Sequence, residues 1–430
     1  MVALVIALAL LFDFTNGFHD TANAMATPIA TGAIKPKTAV ALAAVLNLVG
    51  AFLSTEVAKT ISGGLIREGE GGIQITPVMI FAGLLGAIIW NLLTWLLGLP
   101  SSSSHALFGG LIGAAVVGAG FGAVDYSVLM SKVILPALLA PVIAGTAAYL
   151  CTKLAYAVTR RSDPDGAKLP RRRGGFRHAQ VFSSSLVALA HGTNDAQKTM
   201  GVITLVLIAG GFQASGSGPV TWVVAACAIA IAAGTYAGGW RIIRTMGSGL
   251  TEVKPAQGFS AETSTAAAIL ASSHLGFALS TTQVASGSVI GSGLGRKGAT
   301  VRWGTARRIA GGWLLTLPAA GAIGAAAAAV AASLGVLGVA IDAVVGGGIM
   351  LGIFLWSRRS RVGSDNAISD IDAAGDVVKI KRRRRGRSKA AKARAAAAAQ
   401  TDKAVGAVQA AAGAGQASGS ARATTEADEK

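Results

Sequence analysis

The chain has 430 residues, of which 52% are hydrophobic and only 13% charged, with a mean hydropathy of +0.57. Soluble globular domains carry roughly 25% charged residues, so the composition excludes a soluble enzyme and points to a helical protein that crosses the bilayer several times. The net charge of +18 has the look of a nucleic-acid signature, but ten Lys and Arg fall between Lys379 and Arg394, so much of the excess belongs to a tail and not to the body of the chain.

The apolar opening run has no basic leading segment and its pattern continues past any cleavage point, so it reads as a first span and not as a signal peptide. It leads into "GFHDTANAM" (17–25), which packs His19, Asp20, Thr21 and Asn23 at bilayer depth. A carboxylate there costs about 2.5–3.5 kcal/mol on insertion scales, so Asp20 should face a cavity and a partner. Gly17 beside it permits a break in the helix, and broken helices present free N–H ends to anions and free carbonyl ends to cations. Asp13, four residues before Gly17, could join the ion path. Further runs of near-spanning length follow at 39–62, 76–98, 128–157, 219–237, 309–333 and 335–356. In the run 39–62 Asn47 and Glu56 point to opposite faces, and Glu56 can pair with Lys59. Between them "PSSSSH" (100–105) and "LSTTQ" (279–283) place hydroxyls in a row, which at a helix start makes an anion cradle without net charge. Helix N-capping is the plainer role for the same hydroxyls, and hydrogen-bonded glue between helices is the plainer role for the polar motif.

The motifs occur twice. "NGFHDTANAM" (16–25) aligns without gaps on "HGTNDAQKTM" (191–200), superposing Gly17 on Gly192, Asp20 on Asp195 and Met25 on Met200; "SSSHALFGGLIG" (102–113) aligns on "STTQVASGSVIG" (280–291) at nearly the same offset. Two halves of about 175 residues are therefore expected: a first membrane repeat over 1–157, a basic linker over 158–178, and a second repeat with a final span over 179–356. The segment 357–430 is Ala, Gly, Ser and charge, too poor in apolar residues to bury a core, and is expected to be a disordered basic tail.

Loop charges set the orientation. Loops 35–37, 158–178, 241–254 and 296–308 hold Lys and Arg, whereas 120–127 and 210–218 hold none, which puts the basic set and the tail in the cytoplasm and the N-terminus outside. The two halves then enter the bilayer from opposite sides, the inverted-repeat plan of secondary transporters. The expected fold class is all-α polytopic, with broken helices and about ten to twelve membrane segments, 76–119 and 262–295 each going in and coming back as a pair of passes or as a re-entrant hairpin. Cys151 and Cys227 lie inside apolar runs and define neither a disulfide nor a metal site. "GLGRKG" (293–298) matches a dinucleotide pattern, but no strand precedes it.

The paired "GFHDTANA" and "HGTNDAQKTMG", with "PSSSSH" and "STTQ", resemble the repeated signatures of the inorganic phosphate transporter (PiT) family from about residue 3 to 356. The resemblance implies symport of inorganic phosphate by two inverted repeats. Carried onto this sequence, it places phosphate at Ser102, Ser103, Ser104, Thr281 and Thr282, with Asn23 and Asn194 close by, and gives the coupling cation to Asp20 and Asp195. His105, which becomes Gln283 in the second copy, is either a proton relay or a hydrogen-bonded histidine at a helix start. Where sodium-coupled members tend to repeat one motif in both halves, this chain has His19 in the first and Gln197–Lys198 in the second, similar to the bacterial low-affinity branch. An ammonium at Lys198 would repel Na⁺ or neutralise Asp195, which favours H⁺ coupling and leaves open carriage of a neutral metal–phosphate complex.

Phosphate, a coupling cation and membrane lipid are thus the expected partners, in the cell membrane. No resident cofactor, resident metal or nucleic acid is expected, and a homo-oligomer is left open. Two rivals stand beside this reading. A membrane hydrolase could use His19, His105, His191 and the aspartates, but no H-E-x-x-H or G-x-S-x-G element is present. A sulfate permease of the same fold is the other, although sulfate has no proton to donate to an aspartate near neutral pH.

Overall fold

The fold was obtained as a computed structural model that describes residues 1–64, 75–161, 173–276, 279–360, 362–364 and 366–367. The expected tail lies almost wholly outside these residues, as does the middle of the basic linker. The first half comprises α1 (Val2–Ala30), α2 (Pro36–Gly50), α3 (Glu56–Gly64), α4 (Pro77–Leu96), α5 (Ser103–Ala119), α6 (Tyr126–Val128) and α7 (Leu135–Arg161). After the linker come α8 (Arg173–Ala209), α9 (Thr221–Ala237), α10 (Trp240–Arg244), α11 (Pro255–His274), α12 (Thr281–Gly295), α13 (Trp303–Leu334) and α14 (Val336–Ser357). Among the described residues the only β pairing is a single bridge between Thr251 and Val301.

Local chemistry fixes many of the boundaries. Pro36, Pro77 and Pro255 open α2, α4 and α11, where a missing N–H costs nothing. Thr76, Ser102 and Ser280 cap α4, α5 and α12 by accepting the backbone N–H of Met79, His105 and Gln283 at 3.3, 3.2 and 3.4 Å. Gly238 adopts φ 74°, a conformation costly for other residues, and the chain bends there by 58° between α9 and the helical stretch Trp240–Gly249.

Among the described residues five helices are long and apolar enough to cross a membrane, and a sixth if that bent pair counts as one. This is fewer than the ten to twelve segments expected. The apolar helices α2 and α5 fall short of spanning length at 15 and 17 residues, and α8 and α11 are diluted by polar residues such as Asp195, Lys198 and Glu262. The run 39–62 is likewise not one span, because α2 stops at Gly50 and α3 starts at Glu56; the expected Glu56–Lys59 pair forms at 2.9 Å on the exposed side of α3. The outward faces of α7 and α14 expose Leu138, Val142 and Ile143, and Val344, Leu351 and Phe354. Such unbroken apolar surface is stable against acyl chains and not against water.

The packing is reciprocal. α1 lies on α9 while α8 lies on α2, and α5 lies on α13 while α12 lies on α7. Glycines make these approaches close: Gly109 and Gly113 of α5 rest on Leu317 and Gly321, and Gly287 and Gly291 of α12 rest on Pro141 and Gly145. Both are small-xxx-small contacts, which membrane helices use because lipid offers no hydrophobic reward for association. A Cβ at Gly291 would overlap the carbonyl of Gly145, backbone that cannot rotate away. Gly291→Ala should therefore destabilise the purified protein by about 1–3 kcal/mol, the cost of overpacking, read as a lowered melting temperature. Gly348→Ala, which meets nothing within 4 Å, should not.

Candidate functional site: two carboxylates beneath two hydroxyl-rich helix starts

Four elements converge on one buried centre. α1 supplies His19, Asp20 and Asn23; α8 supplies His191, Asp195 and Lys198; the starts of α5 and α12 supply Ser103, Ser104, Thr281 and Thr282, all essentially buried. The capping geometry explains why these hydroxyls are available. Ser102 and Ser280 are spent on their own helices' N–H groups, so the next residues in each row are left to face α1 and α8.

The two carboxylates share their neighbours. Thr281 Oγ1 donates to Asp195 Oδ2 at 2.9 Å and lies 3.4 Å from Asp20 Oδ2. His191 Nε2 stands 2.7 Å from the same Asp195 oxygen and 3.6 Å from Asp20 Oδ2. Thr282 and Ser103 donate to Asp20 at 3.0 and 3.1 Å, and His19 Nδ1 lies 3.0 Å from its Oδ1. Lys198 closes the other side of Asp195 with a direct ion pair, and its ammonium also donates to Ser104 Oγ at 2.6 Å and to the Leu279 carbonyl at 3.0 Å. Asn23 Nδ2 reaches Thr282 at 3.1 Å and Thr281 at 3.4 Å.

The centre therefore mixes opposite chemistries. The hydroxyls, the Asn23 amide and the Lys198 ammonium are donors suited to an oxyanion. Asp20, His191 and Asp195 present ligand atoms within 4.8 Å of one another, close enough to hold one cation or to share a proton. Before the histidines are counted, two carboxylates against one ammonium leave a charge of −1, so one proton, on a histidine or a carboxylate, balances a water-excluded centre.

Most of the expected residues meet here, namely Asp20, Asn23, Ser103, Ser104, Asp195, Thr281 and Thr282. Three stand apart. Ser102 acts as a helix cap, Asn194 donates instead to Ser273 of α11 at 2.9 Å, and no hydrogen bond links His105 to either aspartate among the described residues. The expected helix breaks are also corrected. α1 runs without interruption from Val2 to Ala30 and α8 from Arg173 to Ala209, through both Gly17 and Gly192. Neither glycine opens a helix; each admits a neighbour, Gly17 the backbone of Ile231 and Thr235 in α9, and Gly192 the backbone of Asn47 in α2.

Two features escape a motif reading. His191 is central, and the available signal was its i,i+4 spacing from Asp195, which puts both on one helix face. The other is Glu262 of α11, which is buried: it accepts from Ser183 Oγ at 2.5 Å, Thr27 Oγ1 at 2.6 Å and Gln180 Nε2 at 3.0 Å, joining α1, α8 and α11 through neutral donors.

Comparison with known proteins gives a consistent picture. Residues 16–324 match the phosphate transporter family. A probable low-affinity inorganic phosphate transporter of Mycobacterium bovis is 53% identical over 376 residues, covering 86% of this chain and 87% of that protein. One from Bacillus subtilis is 42% identical over 325 residues, covering 76% and 95%. Among solved structures, a chain described as the sodium-dependent phosphate transporter superposes with a TM-score of 0.67 at 23% identity, covering 77% of this chain and 99% of that one.

Proposed function

The chain belongs to the phosphate transporter family and is a multi-pass membrane transporter and not an enzyme; from that premise we propose that it imports inorganic phosphate in symport with protons by alternating access. The observation that carries the coupling ion is Lys198. Its ammonium sits on Asp195, in the position that Asn23 occupies in the first copy of the motif. A fixed positive charge on one of two aspartates opposes a metal cation there and leaves the remaining negative charge for a proton.

Phosphate binds between the hydroxyl rows of α5 and α12, donated to by Ser103, Ser104, Thr281, Thr282, Asn23 and Lys198, with Ser102 and Asn194 at the margin. Neutral donors suit a carrier, because an anion held by several formal charges would leave slowly. Phosphate near neutral pH keeps its own hydroxyls, so it can donate to Asp20 or Asp195 in place of Thr281 or Thr282. Asp20 and Asp195 hold the coupling proton, and a divalent metal travelling with phosphate would be carried on the phosphate oxygens as a neutral complex. His105, next to Ser104 at the start of α5, is the candidate proton relay to the centre. No resident cofactor is required.

Two inverted-topology repeats supply the moving parts. The exchange of partners between α5–α13 and α12–α7, together with the duplicated motifs, supports a two-fold arrangement in which α4–α5 and α11–α12 are re-entrant hairpins meeting at the centre. The protein resides in the cell membrane, and the loop charges support an N-terminus outside and a tail in the cytoplasm.

The test is radiolabelled phosphate uptake into proteoliposomes under a pH gradient without Na⁺, against a Na⁺ gradient without a pH gradient, each with and without Mg²⁺ and excess sulfate. Uptake should follow the pH gradient and resist sulfate, with Mg²⁺ stimulation marking a metal–phosphate cargo. Uptake that needs Na⁺ would overturn proton coupling, and sulfate competition would move the substrate to the other tetrahedral anion.

A further inference from the structure

Asp13 is a second intramembrane carboxylate outside the centre, and its surroundings are unlike those of Asp20 and Asp195. It is fully buried, and neither of its oxygens has a hydrogen-bond partner among the described residues. One turn further along α1 the side-chain nitrogen and oxygen of Asn16 are buried and unpartnered as well. The Thr199 hydroxyl of α8 faces the carboxylate, and it too has no hydrogen-bond partner among the described residues. A buried carboxylate with no donor cannot persist as a bare charge; it must take up a cation.

The position of this group is informative. Asp13 precedes Asp20 by seven residues, so it lies on the same face of α1 about 10 Å nearer the start of the helix. Thr199 in turn follows Asp195 by four residues, one turn along the same face of α8. Asp13 and Thr199 therefore extend the Asp20–Asp195 centre toward the membrane face where α1 begins. The titratable groups that interact electrostatically with Asp13 are Asp195, His191 and Lys198 on α8, and the neutral Cys227 thiol on α9. α4 contributes no titratable residue, and α2 has only Lys37 in its first turn. A metal cation would need about six oxygen ligands, more than Asp13, Asn16 and Thr199 provide, and would meet repulsion from Lys198. A proton needs one oxygen.

We propose that Asp13 is a proton-carrying carboxyl, a waypoint that receives the coupling proton from the membrane face at the start of α1 and passes it, by way of Thr199 and water, to the Asp20–Asp195 centre. The proton adds to the Asp13 carboxylate and leaves it for a carboxylate of the centre, so Asp13 returns to its starting state once per cycle. The inference rests on the proton-coupled reading above.

The test uses full-length protein in proteoliposomes with two assays: net uptake driven by a pH gradient, and exchange of internal for external phosphate, which needs no net proton movement. Asp13→Asn, close to isosteric, should lose net uptake by about tenfold or more while keeping exchange within about twofold of wild type. Net uptake within about threefold of wild type would overturn the proposal, as would equal loss of both activities in a variant that still folds and binds radiolabelled phosphate. If Asp13→Asn fails to fold, Thr199→Val decides: with the relay hydroxyl removed it should slow net uptake while leaving phosphate exchange at the wild-type level, and unchanged net uptake would overturn the assignment. The two readings fail separately. Wild-type uptake that ignores the pH gradient sinks both, whereas wild-type uptake that follows it with an unaffected Asp13→Asn sinks only this one.

Discussion

Asp20→Asn and Asp195→Asn should each abolish phosphate uptake while the protein still inserts and folds. Asp20 accepts hydroxyl donors from Ser103 and Thr282 and borders His19, His191 and Thr281; Asp195 accepts from Thr281 and contacts His191 and Lys198. Hydrogen bonds to a charged group contribute about 1.5–3 kcal/mol each, and an amide in place of the carboxylate forfeits the charge in all of them. Losing two such contacts in the coupled state removes about 3 kcal/mol or more, and 1.36 kcal/mol is tenfold in rate, so uptake should fall by about a hundredfold or more. The helices themselves should be indifferent, because Asn is close in size and a neutral amide is easier to bury than a carboxylate. Uptake by reconstituted variants, normalised to folded protein, is the measurement. Near-wild-type rates in both variants would remove the two aspartates from the site.

Lys198→Ala should be damaging in a different way. The ammonium is nearly inaccessible to solvent and joins three groups at once, the Asp195 carboxylate, the Ser104 hydroxyl and the Leu279 carbonyl. Removing one partner of a buried pair strands the other, at about 3–5 kcal/mol, although His191 remains beside Asp195 to take part of the charge. Stability should therefore drop by about 3 kcal/mol, seen as a clear fall in melting temperature. The start of α12 should also loosen, since Lys198 ties Leu279 just before it to α8. Lys198→Asn, which installs the residue of the first copy, should recover part of the stability but not uptake driven by a pH gradient. With the fixed charge gone, the two aspartates become open to Na⁺, and the expected result is phosphate uptake that responds to a Na⁺ gradient. A variant that stays driven by protons alone would show that Lys198 does not select the ion.

How much of this was legible beforehand differs from residue to residue. The centre itself was: Asp20 and Asp195 are conspicuous because carboxylates are expensive in a bilayer, and the hydroxyl rows are conspicuous because they recur beside the same motif. The direction of individual side chains was not. Asn194 occupies the same register as His19, yet the first turns toward Ser273 and the second toward Asp20, a choice made by which helix packs alongside. Gly17 and Gly192 were open to two interpretations because glycine both weakens a helix and lets another approach it. Only the neighbours Ile231 and Asn47 show that the second applies. Glu262 carried no signal, since a single acid in a Ser- and Thr-rich helix is unremarkable until α1 and α8 bring Thr27, Gln180 and Ser183 to it. The boundary between α2 and α3 was hidden for a similar reason: the stretch Ala51–Thr55 is apolar enough to continue a span, and its departure from helix is decided by packing.

The exchange of partners among α5, α13, α12 and α7 has a consequence for how the protein is made. α5 is complete once Ala119 has been synthesised, but the helix whose Leu317 and Gly321 receive its glycines starts only at Trp303. α7 ends at Arg161 and waits until α12, beginning at Thr281, arrives to cover Pro141 and Gly145. Contacts so distant along the chain form late and slowly. During translation each early helix rests in the bilayer with its glycine-lined groove open, able to accept any passing helix with small side chains. The stage at which this protein is most exposed to mispairing is therefore on the ribosome, and it closes when α13 enters the membrane.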